Sequence, residues 1–215
     1  MKRNILVLGI LMIVMILGLC ACGEQPIDNN ENNVENNNSN EVQIGNNNET
    51  EENAVTTNSE GNALVVYFSW ANHTEKMASV IAAETGADVA VIEPVNAYPT
   101  DYNECTEVAL EEQRRGEKPA IKDLGLDLED YDVIYLGYPI WWMDMPQVLY
   151  TFLENNDFSG KTIYPFTTSY SSGIIGTFDK IKNIATGADV EEGLHIFQRE
   201  IDRDNYEETI KDWLK

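Results

Sequence analysis

The sequence predicts an α/β domain over residues 63–215, a doubly wound parallel sheet of five strands with helices on both faces. Three observations predict it. Strand-like and helix-like patterns alternate five times along this stretch, the pattern of successive βα units. The first apolar run, Ala63-Leu64-Val65-Val66-Tyr67-Phe68, is β-branched and aromatic without a charge, as a strand buried on both faces requires. The length suits one domain with a single sizeable core.

The elements follow in order. After the first strand, Ser69 to His73 makes a short polar turn, and from Thr74 the apolar residues Met77, Ala78, Ile81 and Ala82 fall at helical spacing. Ala87–Ile92 is the second strand, and Asp101–Gly116 a polar helix that presents Val108 and Ala109 inward. Tyr131–Tyr138 and Lys161–Thr168 are the third and fourth strands, with helices over Pro146–Glu154 and about Ile174–Ile184. A last strand lies between Val190 and Gln198, and a terminal helix runs from about Asp202 to Trp213. Such sheets bind ligands beyond the carboxyl ends of the strands where strand order reverses, which gathers loops 69–74, 137–145 and 167–173.

Ahead of this domain, Met1, Lys2 and Arg3 precede an uncharged apolar segment, Ile5 to Leu19, in the manner of a secretory signal. Leu19-Cys20-Ala21-Cys22 resembles the lipobox of bacterial lipoproteins, with Cys22 as the lipidated residue; an uncleaved single-span anchor is the competing reading. Either places the remainder outside the cytoplasmic membrane, anchored to it. Residues 23–62 are rich in Asn and Glu with no Lys or Arg, too polar to offset the entropy of ordering, and read as a disordered acidic tether. Random-coil scaling gives it an end-to-end distance of roughly 35 Å. Only Cys105 remains in the domain, so no internal disulfide forms there.

The formal charge is −23, of which the signal contributes +2, residues 24–62 contribute −9, and residues 63–215 contribute −16. So acidic a domain excludes nucleic acid and anionic lipid as natural partners, because both attract basic patches. Basic proteins or small ligands remain.

Each of the three loops carries its own chemistry. The first, Ser69-Trp70-Ala71-Asn72-His73-Thr74, lies at a helix N-terminus, where free amides, the helix dipole and the hydroxyls of Ser69 and Thr74 suit a phosphate. Its bland reading is that Asn72 or Thr74 caps the helix. The second, Gly137-Tyr138-Pro139-Ile140-Trp141-Trp142-Met143, offers a tyrosine and two indoles to the face of a conjugated ring. Adjacent residues of an extended segment point to opposite sides, so at most one indole should touch the ring. The third, Thr168-Ser169-Tyr170-Ser171-Ser172-Gly173, offers polar backbone to a ring edge. Phosphate, face and edge together suggest flavin mononucleotide.

With these motifs on three successive strand ends, the chain resembles the flavodoxin family, in the variant with Gly-Tyr-Pro-Ile-Trp-Trp in the second loop and a Thr-Ser-Gly-Gly-Ser-Gly-like third loop. The resemblance covers the whole domain and implies strand order 2-1-3-4-5, noncovalent FMN, redox chemistry and a tendency to pair into homodimers. No long insertion splits the last strand, as in the short-chain form. The chain departs from the family where Asn72 and His73 replace the usual Gly and Asn, and where Tyr170 replaces a glycine. Asn tolerates a left-handed backbone. His73 either serves as a partial cation near the phosphate or points to solvent; Tyr170 either stacks on the ring or closes the site.

Cys105 and His195, without partner ligands in sequence, read as structural, and no metal site is expected. No catalytic side chain is required, since the flavin carries the electron chemistry and the protein supplies binding, orientation and electrostatics. Three functions stay open: an electron carrier working with a redox partner protein or small acceptor; an NAD(P)H- or quinol-dependent FMN oxidoreductase; and a flavin-free surface binding module on the same scaffold. Glu93–Tyr102 is either a substrate entrance or a rigid connection.

Overall fold

The computed structural model describes residues 62–203 and 205–215. The signal, Cys22 and nearly all of the tether lie outside the described residues. Among the described residues, the strands β1 (Ala63–Tyr67), β2 (Asp88–Val91), β3 (Val133–Pro139) and β4 (Thr162–Ser169) are each followed by a helix, α1 (His73–Thr85), α2 (Tyr102–Arg115), α3 (Gln147–Asn155) and α4 (Thr177–Ile184), and the chain ends with β5 (Asp189–Val190), β6 (Leu194–Phe197), α5 (Gln198–Ile201) and α6 (Tyr206–Trp213). The sheet runs β2-β1-β3-β4 with every pairing parallel, and β5 and β6 both pair with the far side of β4. This is the predicted doubly wound sheet in the order 2-1-3-4-5.

β1 is buried on both faces because its side chains alternate between two cores. Leu64, Val66 and Phe68 join Ile134, Leu136, Leu149 and Phe152 on the α3 and α4 side. Val65 and Tyr67 join Met77, Ala78 and Ile81 of α1 and Ile201 and Ile210 from the C-terminal helices. The absence of polar alternation in the run thus has a direct cause: neither face meets water.

Two predicted details differ. The last strand is split by a bulge: Ile163 pairs with Val190 but Phe166 pairs with Leu194, so residues 191–193 oppose only Tyr164 and Pro165. The Ile163 carbonyl accepts from Glu191 N–H, so the residue two further on, Pro165, faces the same edge and has no N–H to give. The ladder fails there, and a bulge absorbs the failure. Gly193 fits the bulge because a Cβ would stand 2.5 Å from the Phe178 ring and from the Pro165 carbonyl. In α2, Cys105 and Ala109, four residues apart, are the buried pair, while Val108 turns outward. Asp101 caps this helix, its carboxylate accepting from Asn103 and Glu104 N–H at 2.9 and 3.0 Å.

Gly137 sits opposite Phe166 in the β3–β4 ladder, and a Cβ on it would lie 2.2 Å from the ring of that fully buried phenylalanine. The ring packs over bare backbone. Gly137→Ala is therefore expected to cost roughly 1–3 kcal/mol through overpacking, read as a lowered urea midpoint with an unchanged m-value.

Candidate functional site

The carboxyl ends of β1, β3 and β4 open into a cleft of about 780 Å³, within the usual size of a small-molecule site. Ser69, Trp70, Ala71, His73 and Thr74 of the first loop line it, with Pro139, Ile140, Trp141 and Trp142 of the second and Thr168 and Tyr170 of the third. The topology thus brings together most of the residues singled out in the sequence.

The first loop has the backbone of an anion cradle. Asn72 holds the N-cap position of α1 in the left-handed region (φ 62°, ψ −2°), a conformation that asparagine accepts more readily than most residues, and its side chain makes no capping bond. Thr74 does not cap the helix either; its hydroxyl meets Thr168 Oγ1 at 3.1 Å and ties the first loop to the third, both threonines being buried. Among the described residues, Glu75 N–H reaches a side-chain acceptor, Ser69 Oγ, only at a long 3.4 Å. The first turn of a thirteen-residue helix is thus left open to an anion.

The second loop is not an extended segment beyond Ile140. Trp141 and Asp144 exchange backbone hydrogen bonds of 2.8 and 2.9 Å around Trp142 (φ 47°) and Met143 (φ 65°), a tight turn with two positive φ angles on bulky residues. Such turns favour Asn-Gly, and each bulky residue here costs roughly 1–2 kcal/mol. Surrounding contacts hold the strain in place. Trp142 Nε1 donates to the Thr106 carbonyl at 2.8 Å, and Gln113 donates to the Trp142 carbonyl at 3.1 Å. Asp144 is buried and accepts from Met145 N–H (2.8 Å), Tyr150 Oη (2.9 Å) and Lys180 Nζ (2.6 Å). Because the chain turns, both indoles line the cleft, where an extended segment would have allowed one. Trp141 meets Phe68 and Tyr98 edge to face at 5.3 and 5.0 Å, and Trp142 stays half exposed.

The third loop is closed on itself. Ser169 Oγ donates to the Ser172 carbonyl and sits 2.9 Å from His195 Nε2 on β6, so His195 serves as the donor of that second bond. Burial holds the His195 imidazole below its ordinary value. Tyr170, 80% exposed, stands at the cleft margin.

Four predicted residues are not on the cleft wall. Tyr138 is wholly buried, its hydroxyl donating to Thr177 Oγ1 at 3.0 Å, and burial pushes its phenol far above the ordinary value. Its side chain anchors β3 to α4 and does not line the cleft. Asn72 contributes backbone shape, Ser169 latches the third loop, and Gly173 lies beside the wall. Conversely, the wall includes Met143, Ser171, Ser172, Gln198 and one face of α2, namely Tyr102, Cys105, Thr106 and Ala109. The small residues Cys105 and Ala109 at helical spacing in a largely polar helix were the available signal for that face. The Cys105 thiol is buried and pushed up to about 11, chiefly by desolvation.

Glu93–Tyr102 is pinned at Tyr98 and Pro99, while Tyr102 at its end stands exposed on the cleft wall. Tyr98 packs edge to face on Phe68 and Trp141 and donates to Glu112 at 2.7 Å, while Trp70 Nε1 donates to the Pro99 carbonyl at 2.9 Å. Among the described residues no helix is long and apolar enough to cross a membrane, and no group of three or more potential ligands could hold a metal.

Residues 62–215 match the family described as Flavodoxin. The chain belongs to the flavodoxin family. Among solved structures it is similar to a flavoprotein of Bacteroides eggerthii DSM 20697, with 31% identity over 72% of this chain and 96% of that one and a TM-score of 0.60. A flavoprotein of Bacteroides uniformis ATCC 8492 is similar at 30% identity over 72% and 97%, with a TM-score of 0.61. A flavoprotein of Lactobacillus acidophilus NCFM, solved in complex with FMN, shares the fold at 24% identity over 66% and 97%, with a TM-score of 0.54. No curated protein matches the chain. The residues of this flavodoxin cleft fit FMN: an open helix N-terminus, a buried His73 Nδ1 with no hydrogen-bond partner among the described residues, and aromatic walls.

Asp144 holds the strained turn. Asp144→Ala leaves the Met145 amide and Tyr150 hydroxyl without their acceptor and should cost about 2–3 kcal/mol; Asp144→Asn, which keeps a carbonyl, should cost about 1 kcal/mol. Denaturant unfolding of the three proteins checks the order.

Proposed function

We propose that this flavodoxin is an FMN-binding electron carrier displayed outside the cytoplasmic membrane, anchored through Cys22 and held off the bilayer by the acidic tether. One observation carries the reading of the cleft: the uncapped first turn of α1 and the two indoles of the strained turn share one enclosed wall. FMN supplies one- and two-electron transfer when bound. Ser69 and the first-turn amides of α1 bind and orient the phosphate. Trp141, Trp142 and Tyr170 bound the ring and exclude water from it. The Thr74–Thr168 and Ser169–His195 hydrogen bonds keep the two polar loops at fixed separation, so no loop need reorder as charge comes and goes.

Electrostatics sets the direction of transfer. Residues 63–215 carry −16, and among the described residues the cleft wall has no Lys or Arg, so added negative charge on the flavin is disfavoured and its reduction potential falls below that of free FMN. The carrier reading draws support from the pinning of Tyr98 and Pro99 against Trp141 and Trp70, whereas Tyr102, exposed on the cleft wall, is the feature a second-substrate entrance would use. The redox partner is a basic protein or a small acceptor.

Titration of FMN into the apo chain, followed by visible absorbance, is expected to saturate at one flavin per chain with a perturbed spectrum. An absence of saturable binding would overturn the reading. An aromatic contact is worth about 0.5–1.5 kcal/mol beyond burial, so Trp141→Ala and Trp142→Ala should each weaken FMN by about twofold to tenfold or more. If both variants keep the wild-type dissociation constant, the indoles do not hold the ring. The potential for adding the second electron should lie below that of free FMN. Turnover with NAD(P)H and a quinone, without a protein reductase, would favour the oxidoreductase instead.

A further inference from the structure

We propose that His73 is a proton-carrying ligand of the FMN phosphate, positioned by Asp202, and that this chain takes up a proton when it binds the cofactor. The inference rests on the reading of the cleft as the FMN site. His73 is the first residue of α1 and lines the cleft. Its Nε2 lies 3.2 and 3.3 Å from the two carboxylate oxygens of Asp202, a residue 129 positions away on the turn after α5.

The tautomer follows from the partner. An ionised carboxylate only accepts, so Nε2 carries the hydrogen, and a neutral ring then has a bare lone pair at Nδ1. Among the described residues that Nδ1 is buried and without a partner, an unfavourable arrangement for a group a ligand never completes. A bare lone pair repels a phosphate dianion. A proton between the two turns the repulsion into a charge-assisted hydrogen bond, whether it rests on the ring or on a phosphate oxygen, and in either case it comes from solution.

The surroundings leave His73 as the group able to supply that charge. No Lys, Arg, Asp or Glu lines the cleft, and His73 is its one basic side chain among the described residues. Lys76, on the next turn of α1, is joined to Asp202 at 3.5 Å. The other charged groups on the packed elements are Glu75 on α1, the Tyr67 phenol on β1, Arg199, Glu200 and Arg203 around α5, and Glu207, Glu208 and Asp212 on α6, which meets α1 further along at Lys211–Glu84. Carboxylates outnumber cations there, so a phosphate gains no net cation from them. Asp202 accepts from Nε2 and so fixes the ring's orientation, and His73, with Lys76, holds the Asp202 carboxyl below its ordinary value. Gln198, on the wall three residues before Ile201, brings the same C-terminal segment to the cleft.

Calorimetric titration of the intact chain with FMN and with riboflavin, which lacks the phosphate, tests this at about pH 6, 7 and 8 in buffers of different ionisation heat. Wild type should take up close to one proton per FMN at the upper pH, with affinity falling by up to about tenfold per pH unit there. Riboflavin affinity should stay flat. His73→Gln should abolish the proton uptake and the pH dependence between about pH 7 and 8, where the phosphate is a dianion, while keeping riboflavin binding, which also shows that the variant is folded. Asp202→Asn, an exposed change, should make FMN affinity fall at lower pH than in wild type. A His73→Gln protein that retains the proton uptake, or equal pH profiles for FMN and riboflavin in wild type, would overturn the proposal. Failure of wild type to bind either flavin would overturn the FMN reading itself, and this proposal with it.

Discussion

The burial of β1 on both faces is the constraint on which the rest of the structure depends. A strand with Leu64 and Val66 in one core and Val65 and Tyr67 in the other has no surface position available to it and must lie inside the sheet. Its neighbours β2 and β3 then lead the chain in opposite directions across the sheet. The carboxyl end of β1 is thereby the point where strand order reverses, and the turn that follows faces a gap between connections. The helix after that turn starts in the gap with its amides unpaired.

The cleft walls are kept in place by polar bonds between residues far apart in the chain. Thr74 with Thr168, His195 with Ser169, Tyr138 with Thr177, and Trp142 with Thr106 each join two elements that no local rule would bring together. Most of these groups are buried or half-buried, where an unmade bond is costly. Their geometry is correspondingly well specified. The strained turn at Trp142 and Met143 belongs to the same pattern, since Asp144 and α2 hold a backbone that those side chains would not adopt alone.

Charge distribution complements this rigidity. The domain is strongly acidic, yet among the described residues the cleft wall carries no acidic side chain and one histidine as its basic group. An anionic ligand is accommodated by amides, hydroxyls and one imidazole inside a negative envelope. In the proposed function, that arrangement would hold phosphate at short range while the long-range field acts on the electrons of the flavin.

The sequence by itself determined the sheet, the order of its elements and the three loops, because apolar period and turn chemistry are local properties that neighbouring residues display. The left-handed Asn72 and the aromatic second loop were legible for the same reason. Tertiary structure alone decided which side chains face the cleft. Tyr138 and Trp142 lie four residues apart, yet one is sealed in the core and the other stands on the wall, because the chain reverses after Trp141. The α2 face with Cys105 and Ala109 reaches the site only through helix packing, and His73 meets Asp202 across 129 positions. Such contacts depend on long-range packing, and no local pattern encodes them.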